Sequence, residues 1–163
     1  MKEIPDGGLC LSAFLVVTRR KTSEILMGHL NPSAAWDHIG ALDQSRIEAH
    51  SKGWMLPSSH LMLLESPQSA AKRIVREQLG LQDNAISLSG PAVVSEAHTP
   101  KRFPNLPDHW DIEFIFSGES ETLPRSNAWT ELKYVDAGKI PRKDMARSHE
   151  DIVESAGFQF VDT

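Results

Sequence analysis

From Leu9 to Thr18 the chain reads Leu-Cys-Leu-Ser-Ala-Phe-Leu-Val-Val-Thr, an apolar run with hardly a break. Such a run predicts a strand covered on both faces. Arg19 to Ser23 reads as a turn and Glu24 to Leu30 as the returning strand. The stretch from Asn31 to Lys52 holds Pro32, Gly40 and one short helical segment, Gln44 to His50, with Asp43 as its cap. Trp54 to Leu56 predicts a short strand ending at Pro57. Ile86 to Ser89 and Ala92 to Ala97 predict one bent strand or two, interrupted by Gly90-Pro91. Pro100, Pro104 and Pro107 make His98 to His109 a loop. Trp110 to Ser117 follows as a strand, with Ile112, Phe114 and Phe116 on one face and Asp111, Glu113 and Ile115 on the other. Trp129 to Val135 is the last strand. Ser148 and Asp151 have capping-box spacing, so a helix is expected from Met145 or His149 to Ala156, closed by Gly157.

The clearest helix lies inside Ser59 to Leu81. Ser66 suits an N-cap, Pro67 the first helical position and Gly80 a left-handed terminus. Ala70, Ala71, Ile74, Val75 and Leu79 recur at three- and four-residue spacing, while Ser69, Lys72, Arg73 and Arg76 cover the other side. At about 100° per residue, Gln78 falls within the apolar arc and Glu77 on its edge. A buried amide there requires hydrogen-bond partners.

Strands, one dominant helix, more strands and a terminal helix predict an α+β layered domain with a mixed sheet, spanning 1–163 as a single unit with no internal repeat or linker. A length of 163 residues, with 40% hydrophobic and 24% charged, suits such a core. The net charge of −5 argues against broad nucleic-acid binding, yet leaves room for a small anion in a local positive pocket. Cys10, the one cysteine, sits in an apolar run and is expected as a buried free thiol. No run approaches the roughly 18 apolar residues of a membrane span. Met1 to Gly8 is polar and turn-rich, unlike a secretory leader, so a cytoplasmic location is expected.

The spacing from Ser59 to Leu81 resembles the Nudix box, Gly-x5-Glu-x7-Arg-Glu-U-x-Glu-Glu-x-Gly-U, where U is a bulky aliphatic. Glu65, Arg73, Val75, Glu77, Gly80 and Leu81 fall on its marks, whereas Ser59, Ile74 and Gln78 replace a glycine and two glutamates. The box is recognisable but degenerate. The resemblance implies an α/β/α sandwich with a mixed β-sheet, and a box that forms a loop and a helix.

It also implies hydrolysis of a nucleoside diphosphate linked to another moiety, with Mg²⁺ or Mn²⁺ held against a pyrophosphate. A hard cation prefers oxygen ligands and activates the attacking water. By this reading Glu77 is the principal metal ligand, Gln78 an auxiliary ligand through its carbonyl oxygen, and Glu65 a second carboxylate or orienter. Arg73 clamps the box loop through Glu65. Glu96, Asp111 and Glu113 stand beside strands as further carboxylates, and Lys101 and Arg102 in the proline-rich loop could meet a phosphate. The other reading is a catalytically inactive domain that binds a ligand or a partner, since two helix carboxylates and the loop glycine are lost together. Ser59 in place of glycine implies a changed or strained loop path. The apolar run Leu61 to Leu64 suggests a buried loop or an interface. Separately, a homodimer paired through sheets or helices is compatible with the sequence. Trp36, Trp54, Trp110 and Trp129 are expected in core or rim packing.

Overall fold

The computed structural model describes residues 4–98 and 107–161; Lys101 and Arg102 lie outside the described residues. Six strands form one mixed sheet: β1 (Leu9–Thr18), β2 (Glu24–Leu30), β3 (Ser58–His60), β4 (Leu88–His98), β5 (His109–Glu119) and β6 (Trp129–Asp136). The strand order is β4-β5-β1-β2-β6, with β3 pairing β1. β1 runs parallel to β5 along its whole length, from Leu9 opposite Trp110 to Thr18 opposite Glu119. The other pairings are antiparallel. Among the described residues, four α-helices accompany the sheet: α1 (Trp36–Ile39), α2 (Gln44–His50), α3 (Pro67–Glu77) and α4 (His149–Ser155).

The continuous apolar run of β1 is explained by two cores. Ala13, Leu15 and Val17 face α3 and pack with Ala70, Ala71, Ile74 and Val75. Phe14 and Val16 face the other way, toward Ile152 and Val153 of α4. Alternation along the strand sends successive residues to opposite faces, so a centre strand in a sandwich must be apolar at both parities. Burial of Ile74 and Val75 contributes about 1.5–3 kcal/mol each. A third cluster, at the sheet edge under α1 and α2, stacks Trp36 edge-on against Trp129 with ring centroids 5.1 Å apart. Both indoles are satisfied: Trp36 Nε1 donates to the Ala128 carbonyl at 3.1 Å and Trp129 Nε1 to that of Gln78 at 2.8 Å.

Two expectations differ from the structure, the strand at Trp54 to Leu56 and the cap at Ser148, while others hold. The short strand expected at Trp54 to Leu56 lies further on, at Ser58–His60. Trp54 and Met55 make only isolated bridges, because the extended chain past Pro57 finds the free edge of β1, where Leu15 N–H donates to the Pro57 carbonyl at 2.9 Å. β4 is a single strand, with its ladder shifted between Ser89 and Ala92. Ser148 makes no side-chain cap to α4. It lies at φ 57, after Arg147 at φ 59, and both left-handed residues turn the chain sharply before the helix. Asp43 does cap α2, accepting from Arg46 N–H at 2.9 Å, and Gly80 adopts φ 67 as its position past α3 demands.

Among the described residues no helix is long and apolar enough to cross a membrane. Helix α4 is locked to the sheet by its first residue. His149 is buried, packs edge-on against Phe14, and its Nδ1 accepts the Leu56 N–H at 3.1 Å. Replacing His149 with Phe keeps the ring and orphans that N–H. A loss of about 1–3 kcal/mol is expected, read as a lower urea midpoint with an unchanged slope.

Candidate functional site

The box segment is assembled around Arg73. Its Nε and Nη2 donate to the two oxygens of Glu65 at 2.7 and 2.8 Å, a bidentate pair that is nearly buried. Both Nη atoms also donate to Ser59 Oγ at 3.1 Å, Nη2 to the His60 carbonyl at 3.1 Å, and Nη1 to the Ile39 carbonyl at 3.5 Å. The Arg73 guanidinium holds the Glu65 carboxyl below its ordinary range, and Glu65 in turn holds Arg73 above its own. Glu65 also accepts from Met62 N–H at 2.9 Å, which closes the loop ahead of α3. Of the two glutamates within reach of Arg73, Glu65 has taken it. Glu77 lies 4.0 Å from Nη1, with its other oxygen 3.4 Å from Arg76.

Ser59 does not strain the loop where a glycine was expected. It sits in β3 beside Ala13, and its hydroxyl donates to the His60 carbonyl at 2.8 Å. The left-handed residue of this loop is Leu64, at φ 65, which costs about 1–2 kcal/mol. Leu63 and Leu64 are 93% and 97% exposed, so the apolar run does not turn inward at its end.

Ile74 is 0% exposed, within the core against β1. Gln78 is 0% exposed as well, and its amide finds the partners that its place in the apolar arc requires. Its Oε1 accepts the Ser58 N–H at 3.1 Å, while Nε2 donates to the carbonyls of Ser58 at 2.7 Å and Ile39 at 2.9 Å. The oxygen expected as an auxiliary metal ligand is thus tied to backbone. Glu77 is 31% exposed and is the one carboxylate that the helix presents near these positions. Among the described residues, no three His, Cys, Asp or Glu side chains converge as a metal site. The donor set on α3 therefore does not fit a three-carboxylate cage for Mg²⁺ or Mn²⁺.

The remaining candidates gather on the opposite face of the sheet. Glu96, Asp111 and Glu113 line a cavity of ≈ 610 Å³ between the sheet and α4. Cross-strand register places Glu96 beside Asp111, Asp111 beside Cys10, and Glu113 beside Ser12. Alternation on β5 explains the separation from the box: Phe114 and Phe116 face α3, and Asp111, Glu113 and Ile115 face α4. Sequence spacing gave no sign of Arg46, His60 and Arg147, which line the same cavity. His60 Nδ1 lies 3.1 Å from both Cys10 Sγ and Ser12 Oγ, and its Nε2 faces Arg147 Nη2 at 3.3 Å and Arg46 Nη1 at 3.5 Å.

Strand order, the covering helices and the box segment together define a Nudix-like fold, and solved structures show the same fold. Escherichia coli dihydroneopterin triphosphate pyrophosphohydrolase matches with a TM-score of 0.58 and 16% identity, over 94% of this chain and 97% of that chain. A MutT NUDIX hydrolase from Burkholderia pseudomallei matches with a TM-score of 0.59 and 15% identity, over 90% and 96%. A bifunctional NMN adenylyltransferase/ADP ribose pyrophosphatase from Francisella tularensis, complexed with AMP and Mn, matches with a TM-score of 0.56 and 14% identity, over 94% of this chain and 42% of that one. No family model matches the sequence, and no curated protein matches it.

This geometry sets how the protein responds to a change at Gln78 and to acid. Gln78→Glu restores the box carboxylate but replaces two donors with lone pairs facing the Ser58 and Ile39 carbonyls. A loss of about 2–4 kcal/mol in equilibrium unfolding is expected. The second response is to acid. Burial, then Arg147 and Arg46, push His60 down to about 4 from an ordinary 6.5. The unfolded chain therefore binds the proton first, and stability falls as pH drops from 6.5 toward 4, by roughly 1–3 kcal/mol from this group. His50 and His149, also lowered first by burial, act in the same direction. Urea midpoints at pH 7.5 and 4.5 should differ less in His60→Gln than in the wild type.

Proposed function

We propose that the chain is a Nudix-fold protein that binds a nucleotide-type, phosphorylated small molecule without cleaving it by metal chemistry on the box helix. The observation that carries this is Gln78: fully buried, with its oxygen and both amide protons engaged by Ser58 and Ile39. With Ile74 in the core, two of the three box carboxylate positions serve packing and backbone satisfaction. The ligand class is suggested by the fold neighbours, whose names refer to dihydroneopterin triphosphate and ADP ribose. A cavity of ≈ 610 Å³ offers room for such a molecule.

A second reading is hydrolysis, and one observation favours it. The Glu65–Arg73 buttress is intact, and Glu77 stands beside it with part of its carboxylate open to solvent. Magnesium can be held by one or two carboxylates with waters and substrate phosphates, so Glu77 would be the residue to hold it.

Phosphate release and equilibrium binding, measured over ADP-ribose, dihydroneopterin triphosphate and related nucleoside diphosphate derivatives with and without Mg²⁺ or Mn²⁺, separate the two. Binding without metal-dependent turnover is expected. Turnover that requires the cation and collapses in Glu77→Gln would establish the hydrolase instead. Failure of every compound to bind would overturn the ligand reading.

A further inference from the structure

The cavity beneath α4 holds an arrangement of charge that the box does not account for. Arg46 comes from α2 and Arg147 from the turn before α4, and both direct a guanidinium N–H at the same imidazole nitrogen, His60 Nε2. A guanidinium only donates, so Nε2 is the acceptor and the ring is neutral, with its proton on Nδ1 toward Ser12 Oγ and Cys10 Sγ. Its low basicity agrees with this.

Arg147 is half-buried. Among the described residues it forms no ion pair, and its one side-chain hydrogen bond goes to His60, leaving its other donors unengaged by those residues. Desolvation, then the charge of Arg46, push it down to about 10, partly offset by Cys10, Asp111 and Asp43 at longer range. Arg46 is tied to Asp43 at 3.5 Å through Nε, which leaves its outer nitrogens toward the cavity. Cys10 does not serve as an anionic partner at neutral pH: burial, then Asp111, raise its thiol to about 11. Arg46 is 47% exposed and sits beside Asp43, yet both guanidinium groups are drawn to one neutral ring, and an anion between them offsets their repulsion.

We propose that Arg46 and Arg147, aligned by neutral His60, form a binding site for a phosphate group of a small-molecule ligand in the cavity beneath α4. Guanidinium forks match the geometry of phosphate oxygens. Glu96, Asp111 and Glu113 line the same cavity from β4 and β5, and Glu150 and Asp151 line it from α4, so affinity for an anion is confined to the space between the two guanidinium groups. A ligand seated here presents its phosphate to α2 and the α4 turn, and the rest of the molecule to the acidic strands. The proposal rests on the reading that the chain binds a phosphorylated small molecule, and places that molecule's anionic end on the face away from the box helix.

The test uses inorganic phosphate at constant ionic strength, followed by calorimetric titration and thermal unfolding, on the wild type, Arg147→Gln, Arg46→Gln and a charge control, Lys72→Gln on the exposed side of α3. Phosphate should raise the wild-type Tm, and Lys72→Gln should respond equally. Arg147→Gln should unfold at a higher temperature than the wild type without phosphate, since a repelled charge is gone, and should bind phosphate at least tenfold more weakly. A merely structural arginine would give the reverse, a lower Tm with unchanged affinity. Arg46→Gln, on an exposed helix, reads the same loss should Arg147→Gln fold poorly. Unchanged phosphate affinity in both arginine variants would overturn the site. If they also bind ADP-ribose like the wild type, the ligand reading survives alone; if the wild type binds neither compound, both readings fall.

Discussion

Arg73 joins four segments that would otherwise have little reason to meet. Its guanidinium reaches Glu65 in the box loop, Ser59 and the His60 carbonyl in β3, and the Ile39 carbonyl at the end of α1, all from within α3. An arginine this deeply buried has to be satisfied at nearly every donor, since an unpaired charge in such a place costs several kcal/mol. Loop path, helix position and the start of β3 are therefore set together. Gln78, one turn further along, repeats the device with a neutral amide, binding β3 on both sides of Ser58 and touching the same Ile39 carbonyl.

That shared use of Ile39 has a consequence for chemistry. Where a cation cage would need oxygen atoms facing a cleft, this chain supplies an amide whose oxygen and protons are all directed at its own backbone. The Arg73–Glu65 buttress is present and a three-carboxylate cage on α3 is not, and the two are physically separable. Arg73 and Glu65 stabilise a loop whether or not anything binds beside it, whereas carboxylates at positions 74 and 78 would repel one another and the nearby carbonyls without a metal to hold.

On the other face of the sheet the balance is reversed. Phe14, Val16 and Ile115 pack against α4 at one end of that surface. At the other end Cys10, Asp111 and Glu113, at the same strand parity, leave a polar hollow. Arg147 enters it from a turn made of two left-handed non-glycine residues, a conformation that costs of order 1–3 kcal/mol per residue and persists only where the surroundings impose it. Here the surroundings are the Ala146 N–H donated to the Trp54 carbonyl on one side and buried His149 on the other.

Much of this protein could be read from residue order alone. Period-two and period-3.6 patterns located the long strands and α3, and the position of Gln78 within an apolar arc already required that its amide be partnered, because burial and polarity were both local facts. The spacing of Glu65, Arg73 and Glu77 outlined the box for the same reason. Pairing was not local. Ser58–His60 became a strand only because β1 offered an edge, and Ser148 gave up its cap only because the chain had to turn before α4. Arg46, His60 and Arg147, drawn from three distant segments, carry no motif that spacing could reveal. They share one cavity because the pairing of β3 with β1, the placement of α2 and the turn before α4 bring them there, and such long-range contacts are fixed by packing rather than by any short run of sequence.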